Sequence, residues 1–288
     1  MRIALYQART GIEPGRNARD LEQAVTGAAA GGAAILFTPE MSGLLDRDRS
    51  RSEAHLREEA EDPVLAAVQA AAREAGIWVH IGSLALRGGA GGRLANRGFL
   101  IDDKGEIRAR YDKIHLFDVD LATGESWRES AVYAPGEDAV VADTPAGPLG
   151  MSICYDLRFP DLYRALTDAG ALILAIPAAF TVPTGQAHWH VLMRARAIEA
   201  GAYVVAAAQS GRHGDGRETF GHSLVVDPWG EVLLDMGEEV GLGFAEIDLA
   251  RVDEVRGRLP AISHRRPIPA PERVSGPDLA GSKVRPAR

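Results

Sequence analysis

The sequence predicts a layered α/β fold, in which a sheet-rich sandwich carries its helices on the outside. Short apolar runs alternate with stretches of helical periodicity, which is typical of layered α/β proteins. Two further segments read as antiparallel hairpins and indicate a mixed sheet. No GxGxxG or Walker-type loop is present, so a doubly wound nucleotide-binding fold is not favoured.

The predicted strands are apolar runs bounded by turn residues. They cover residues 3–6, 33–37, 77–86, 98–101, 149–153, 172–176, 203–208 and 224–226. Helices are predicted at residues 17–30, 63–75, 160–169 and 187–200, where apolar residues recur at helical spacing. The predicted hairpins are residues 96–111 and 222–236, which turn at 103–106 and 227–230.

Composition predicts one large globular domain over residues 1–262, followed by a Pro/Arg-rich, poorly packed tail at 263–288. The 288 residues are 46% hydrophobic and 25% charged, which is enough for a large core. A net charge of -8 argues against a nucleic-acid or anionic-membrane partner, and favours a small solute. The N-terminal apolar run is too short for a signal peptide, and no stretch of about 18 apolar residues occurs, so we expect a cytoplasmic enzyme.

Cys154 is the only cysteine, which excludes an intrachain disulfide and a cysteine-rich zinc site. It follows an apolar strand and precedes Pro160, which begins a predicted helix. A nucleophile at such a bend is exposed above the sheet, and the amides that follow it can face a developing oxyanion. A lone cysteine can equally be buried core, so further residues have to decide between the two interpretations.

Two charged residues end predicted strands in the same manner. Glu40 closes the apolar run 33–37, where a general base with a raised pKa is expected, and Lys113 follows the first hairpin. A thiol is mostly protonated at neutral pH, so a nucleophilic Cys154 needs such a base or cation. Taken singly, however, a Glu or Lys at a strand end is usually a solvated surface charge.

Taken together, three ordered motifs resemble the nitrilase superfamily of carbon-nitrogen hydrolases. They are residues 37–41 (FTPEM), 111–118 (YDKIHLFD) and 152–160 (SICYDLRFP). The similarity continues through residues 177–180, 184–189, 194–199 and 221–230, and thus covers nearly everything before the tail. Within the superfamily the sequence is most similar to the Nit branch, and in that branch to deaminated glutathione amidases.

This resemblance implies an αββα sandwich that pairs into αββα-αββα dimers, and a catalytic triad of Glu40, Lys113 and Cys154. It implies a second glutamate, Glu129, although Glu125 precedes a serine in the same way. The backbone N–H of Tyr155 is expected to join Lys113 in holding the oxyanion. The resemblance implies no cofactor.

For substrate binding, Arg158 is the nearest cation to Cys154, four residues after it, and a guanidinium suits capture of a carboxylate. The resemblance supports this interpretation. A salt bridge from Arg158 to Asp156 or Asp161 is the alternative. Phe180 and Thr184 match the family's substrate-binding positions, as an apolar wall and a hydroxyl donor. The expected reaction is hydrolysis of a small carboxamide bearing a carboxylate, such as deaminated glutathione, to the acid and ammonia.

Other functions use the same residues. An omega-amidase acting on α-ketoglutaramate or succinamate, an N-carbamoyl hydrolase and a nitrilase would share the triad. A non-enzymatic protein of this fold and a redox sensor built on Cys154 are less favoured, because the triad is intact and no second thiol is present.

No metal site is predicted. The histidines His115, His188, His190, His213 and His222 are scattered, and the i, i+2 spacing of His188 and His190 puts them on different sides of a helix. His190 stands where the family usually has glutamate, so the substrate range and pH profile are expected to differ. The Gly-rich segment 212–218 is predicted to be a flexible loop near the pocket mouth.

Overall fold

The computed structural model describes residues 1–120, 124, 126–271 and 273. Its helices are α1 (Pro14–Ala30), α2 (Arg49–Glu53), α3 (Pro63–Ala75), α4 (Pro160–Asp168), α5 (Val182–Ala200) and α6 (Leu249–Arg258). Its strands are β1 (Arg2–Gln7), β2 (Ile35–Phe37), β3 (Trp78–Leu86), β4 (Ala95–Ile101), β5 (Ile107–Asp112), β6 (Asp118–Asp120), β7 (Ser126–Arg128), β8 (Val141–Ala142), β9 (Leu149–Met151), β10 (Ile173–Ala175), β11 (Tyr203–Ala206), β12 (Ser210–Arg212), β13 (Glu218–Phe220), β14 (Leu224–Val226), β15 (Val232–Asp235) and β16 (Gly241–Glu246).

Two six-stranded mixed sheets form the centre of the molecule. One has the order β16-β1-β2-β3-β4-β5 and the other β15-β14-β11-β10-β9-β8. In each sheet three neighbouring strands that are connected through helices run parallel: β1, β2 and β3 in the first sheet, and β9, β10 and β11 in the second. The remaining strands pair antiparallel with their neighbours. The two halves of the chain therefore repeat one arrangement.

Three apolar clusters define four layers. One cluster joins Leu5 and Phe37 of the first sheet to Ile173 and Val205 of the second. A second packs α1 and α3 on the outer face of the first sheet, and the third packs α4 and α5 on the outer face of the second. This is the αββα sandwich that the sequence predicts. Among the described helices, none combines the length and apolarity that crossing a bilayer requires.

The predicted helices are present, but two begin earlier than the periodicity indicates. α1 begins at Pro14 and α5 has a proline in its first turn, a position where the missing N–H carries no cost. α3 begins at Pro63 and ends at Gly76, whose left-handed conformation closes the helix. The first turns of α1 and α5 contain proline and glycine and lack apolar periodicity, which explains why both helices are longer than expected.

Several elements have no counterpart in the predictions. α6 and β16 follow the last predicted hairpin, and β16 pairs along all of β1. The segment 212–218, expected to be a loop, is the turn and flank of the β12–β13 hairpin. Residues 213–217 connect the two short strands, in agreement with the predicted loop, whereas Arg212 and Glu218 at its ends belong to β12 and β13. The segment does reach the pocket described below, through Arg217 and Glu218.

The division into a domain at 1–262 and a tail at 263–288 stays a prediction. The described part beyond residue 262 is largely exposed, and Arg265 forms an ion pair with Asp168. The remainder of the tail, like Glu125, lies outside the described residues.

Candidate active site

The carboxyl ends of several strands meet at one edge of the sandwich, and the candidate site lies there. Glu40 comes three residues after β2, and Cys154 three residues after β9. Lys113 follows β5, which runs in the same direction as β3 because two antiparallel pairings separate them. Sheet topology thus brings together three side chains that are far apart in the sequence.

Lys113 and its two glutamates form a buried ion network. The Lys113 side chain is 2% exposed, and its Nζ lies 2.8 Å from Glu40 Oε1 and 2.9 Å from Glu129 Oε2. Asn96 Nδ2 donates to both carboxylates, at 3.0 Å to Glu40 and 3.1 Å to Glu129. Burial by itself lowers the pKa of Lys113, but the charges of Glu129 and Glu40 outweigh it and raise the pKa well above the ordinary value. The ammonium therefore stays charged.

Cys154 occupies a strained backbone turn next to this network. Its φ is 50°, in the left-handed region that residues other than glycine rarely adopt. Its backbone N–H donates a hydrogen bond to the Pro177 carbonyl oxygen. Burial raises the pKa of the thiol well above its usual value, and the hydrogen-bonded Glu40 carboxylate raises it further, against the opposing charge of Lys113. The resting group is therefore a thiol beside a carboxylate that can accept its proton.

The backbone near Cys154 offers two hydrogen-bond donors. Tyr155 follows Cys154 in the 3₁₀ turn Cys154–Arg158, so its N–H belongs to the first turn, where donors have no partner within the helix. The Ala179 N–H lies 3.1 Å from Glu40 Oε2 and holds that carboxylate toward the second sheet. The predicted oxyanion donor, Tyr155, thus lies directly beside the nucleophile candidate.

Glu129, the residue predicted to be the second glutamate, contacts the Lys113 network. Besides Lys113 and Asn96 it accepts a hydrogen bond from the Phe117 N–H, 2.7 Å from Oε2. Its side chain is 11% exposed. Glu129 thus belongs to the buried network. The alternative residue, Glu125, lies outside the described residues.

Sequence reasoning missed two residues that organise the site. Asn96 opens the hairpin that precedes Lys113, and its amide bridges the two glutamates. Asp156 is fully buried and accepts from the Tyr111 hydroxyl at 2.7 Å, the Ile153 N–H at 2.8 Å and the His115 N–H at 3.0 Å. It therefore joins the turn that carries Cys154 to the chain on both sides of Lys113. Its place two residues after a nucleophile candidate was the available signal.

Gly82 in β3 marks a close approach between the two halves of the site. A Cβ at this position would lie 2.3 Å from the Thr38 carbonyl oxygen and 2.4 Å from Pro177 Cβ. Because Thr38 precedes Glu40 and Pro177 accepts the Cys154 N–H, a larger residue at Gly82 would separate the segments that carry the two groups.

The buried network lies at the bottom of a cavity of about 740 Å³. We call Glu40, Lys113, Glu129 and Cys154 the pocket floor. Arg158, Phe180 and Thr184 line the side of the same cavity and are called the pocket wall.

Each wall residue is fixed by a different contact. Arg158 lies 5.7 Å from the centre of the Phe180 ring and approaches His188 Nδ1 at 3.3 Å. Among the described carboxylates, none forms an ion pair with Arg158, and Asp156 is used elsewhere, so neither expected salt bridge is present. Phe180 is 7% exposed and packs edge-on against Trp189. The Thr184 hydroxyl lies 2.8 Å from that of Thr181.

A cysteine, a carboxylate and an ammonium thus line one pocket of an αββα sandwich. The family model described as carbon-nitrogen hydrolase matches residues 2–257, and the chain therefore belongs to this family. It is an enzyme of the amidase class, as the sequence predicts.

Relatives extend this assignment. Over 266 residues, the chain is 40% identical to the deaminated glutathione amidase of Yersinia enterocolitica, with 92% of each protein covered. Its fold matches the C. elegans NitFhit protein with a TM-score of 0.85 and 37% identity, over 92% of this chain and 65% of that longer protein. It also matches a Nesterenkonia amidase variant with the acetamide moiety of fluoroacetamide on its active-site cysteine, with a TM-score of 0.77, 29% identity, and 92% and 94% coverage.

Proposed function

We propose that this enzyme hydrolyses a small amide that carries a carboxylate, of the deaminated glutathione type, through a covalent thioester on Cys154. The observation that carries the proposal is the strained Cys154 turn beside the paired Glu40 and Lys113, with Arg158 lining the same cavity. The similarity to proteins named deaminated glutathione amidase supports the substrate class.

The raised pKa of Cys154 dictates the first step, because a thiol has to lose its proton to attack. Glu40 accepts that proton while the sulfur forms a bond to the amide carbon. Lys113 Nζ and the Tyr155 N–H hold the resulting oxyanion. Glu40 then returns the proton to the departing nitrogen, the carbon–nitrogen bond breaks, and a thioester remains.

The second half of the reaction uses the same groups. A water molecule gives a proton to Glu40 and attacks the thioester carbon, and the sulfur leaves as the thiolate and regains a proton from Glu40. Glu129 and Asn96 do not act on the substrate in this scheme. Their hydrogen bonds keep Lys113 charged and Glu40 correctly placed through both steps.

The leaving group depends on the amide. A primary carboxamide releases ammonia, whereas deaminated glutathione contains only secondary amides and releases an amine. Cleavage of the amide bond between its oxo-acid part and the cysteine nitrogen gives an oxo dicarboxylate and cysteinylglycine. The ammonia expected from the sequence therefore applies to α-ketoglutaramate or succinamate, and the amine to deaminated glutathione.

The wall supplies the proposed recognition. Arg158 has no carboxylate partner among the described residues, so it is available to a substrate carboxylate. Phe180 gives an apolar surface, and the Thr184 hydroxyl can turn from Thr181 to the substrate at the cost of one neutral hydrogen bond.

The test compares purified wild type with Cys154→Ala, and uses Ser152→Ala as a control two residues away. Substrates are deaminated glutathione, α-ketoglutaramate, succinamate, an N-carbamoyl amino acid and an aliphatic nitrile. Free amine is measured for the first, which has no primary amine before cleavage, and ammonia for the others. Far-ultraviolet circular dichroism checks that each variant is folded.

We expect amine release from deaminated glutathione that Cys154→Ala abolishes. Greater turnover of α-ketoglutaramate or succinamate would instead identify an omega-amidase, and turnover of the last two substrates an N-carbamoyl hydrolase or nitrilase. Activity that persists in Cys154→Ala would contradict the covalent mechanism.

The homodimer expected from the resemblance is part of the proposal. Val191 and Ile198 lie seven residues apart on one face of α5 and are 68% and 47% exposed, and Ile198 lines a small surface pocket together with Trp229. Light scattering of wild type should give twice the chain mass, and Ile198→Asp should lower it, with Val240→Asp as the control on another exposed valine. A monomeric wild type would contradict the dimer. The cytoplasmic location stays a prediction from the sequence.

A further inference from the structure

A second cluster of chemically active side chains lies outside the pocket. His190 lies on α5, His222 lies between β13 and β14, and Asp235 ends β15. His190 Nε2 approaches Asp235 Oδ2 at 2.9 Å, and His222 Nδ1 approaches Asp235 Oδ1 at 2.8 Å. The candidate donor atoms of the three residues all lie within 4.8 Å of one another. Three separate segments of the chain thus direct one donor each to a common point.

We propose that His190, His222 and Asp235 bind a divalent transition-metal ion of the zinc class. Two imidazoles and one carboxylate suit Zn²⁺, Co²⁺ or Ni²⁺, whereas Mg²⁺ and Ca²⁺ prefer oxygen ligands. Bonds of about 2.0–2.2 Å place neighbouring tetrahedral ligands about 3.3 Å apart. The two His–Asp contacts, of 2.8 and 2.9 Å, are about half an ångström shorter than this spacing, and the two histidine donors lie within 4.8 Å of each other. Binding the ion therefore requires the side chains to rotate.

The ligands are held in place before an ion arrives. The Gly237 N–H donates to Asp235 Oδ1 at 2.9 Å. The His222 ring stacks on the Phe220 ring. The backbone carbonyl oxygen of His222 accepts a hydrogen bond from Trp189 Nε1 at 2.8 Å. Such outer contacts fix the orientation of metal ligands and raise affinity. His222 also has a φ of 57°, a strained conformation that the surrounding contacts maintain.

Charge and exposure are consistent with an ion that enters from solvent. Asp235 contributes a negative charge to the cluster, and no described lysine or arginine forms an ion pair with it. The three side chains are between 24% and 38% exposed, which leaves room for water at the remaining coordination position. An open site with three protein ligands and water is a known zinc arrangement.

A bound ion would connect elements behind the pocket wall. Phe220, two residues before His222, donates its N–H to the Phe180 carbonyl at 3.0 Å. The ion would join α5 and β15 to this segment, and we therefore expect it to stabilise the fold.

The experiment titrates ZnCl₂ into tag-free, EDTA-treated, full-length protein by calorimetry, with CoCl₂ absorption as a second probe. All proteins are also made with Cys154→Ala, so that binding at the thiol is distinguished. We expect one equivalent per chain, at least tenfold weaker binding in His190→Gln and Asp235→Asn, and no change in His264→Gln, which removes an exposed imidazole elsewhere. A hundredfold excess of ZnCl₂ over the wild-type Kd should raise the Tm by about 5 °C or more in wild type and His264→Gln, and by clearly less in His190→Gln.

Two results would overturn the proposal: no binding by folded wild type, or equal binding by His190→Gln. Either one would leave the cluster as a hydrogen-bonded link between α5 and β15. Because His190 is a partly exposed helix residue, His190→Gln keeps the test valid even if Asp235→Asn does not fold.

Discussion

The pocket floor and the pocket wall lie in one cavity but are built in opposite ways. On the floor, Lys113, Glu40 and Glu129 are buried, and each is satisfied by the others and by Asn96. On the wall, Arg158 is partly exposed, and its described contacts are a histidine and aromatic rings. The difference indicates that the floor fixes the chemistry in advance, whereas the wall leaves its charge available to the substrate.

The largest expected effect comes from breaking the floor. Lys113→Met removes the proposed oxyanion donor and leaves Glu40 and Glu129 buried without a cation, so we expect kcat/KM to fall by about 10³ or more. The free energy of unfolding should fall by about 3–5 kcal/mol. Steady-state kinetics and urea denaturation measure the two effects, and Lys104→Met on an exposed turn is the control. A loss no larger than that of the control would mean that the ion network has no catalytic role.

Asp156 tests whether the floor also depends on its support. In Asp156→Asn the amide nitrogen replaces one of two acceptor oxygens, so at least one of the Tyr111, Ile153 and His115 donors loses its partner. We expect kcat to fall by about 10² with little change in KM, because the Cys154 turn shifts. The free energy of unfolding should fall by about 2 kcal/mol.

The control for this prediction is Asp161→Asn, an exposed carboxylate in the first turn of α4. An increase in KM with unchanged kcat would contradict the positioning role, because it would place Asp156 among the substrate contacts.

The wall should respond differently. Arg158→Gln removes a charge-assisted hydrogen bond, so kcat/KM for a carboxylate-bearing amide should fall by about 20-fold, mostly through KM, while stability is unchanged. An uncharged amide such as propionamide should be turned over as by wild type. Arg164→Gln, a partly exposed arginine on α4, is the control. Equal losses on both substrates would remove the distinction between floor and wall.

The last prediction concerns stability alone, at His80, which is buried like the floor but has no partner for Nδ1 among the described residues. Burial lowers the pKa of His80 from 6.5 to about 3. Between these values the unfolded chain holds more protons than the folded one, so the free energy of unfolding falls as the pH decreases from about 6.5 toward 3.

At pH 5 this loss amounts to about 2 kcal/mol relative to pH 7. Urea denaturation should therefore show a steeper pH dependence for wild type than for His80→Leu, with His264→Leu as the exposed control. Parallel profiles for wild type and His80→Leu would refute the prediction.

Much of the fold and the core of the site could be predicted from the sequence. Ordered motifs around Glu40, Lys113 and Cys154 indicated the family, and strand periodicity located most of both sheets. Prediction failed for β16, α6 and the β12–β13 hairpin. For β16 the reason is that it is stabilised by its pairing with β1, from the opposite end of the chain. Asn96 and Asp156 were missed because a polar residue near a strand gives no signal of which buried partners it meets.

The sequence by itself determined the layered α/β class, the hydrolase family and the residues available for chemistry, because periodicity and motif order are local properties of the chain. The tertiary structure alone decided that Lys113 lies between two glutamates, that Asp156 joins the nucleophile turn to both sides of Lys113, and that His190 meets His222 and Asp235. The contacts of Lys113, of Asp156 with Tyr111 and His115, and of His190 join residues separated by 16 to 73 positions. Strand order and sheet stacking set such distances, and both depend on the packing of the whole core.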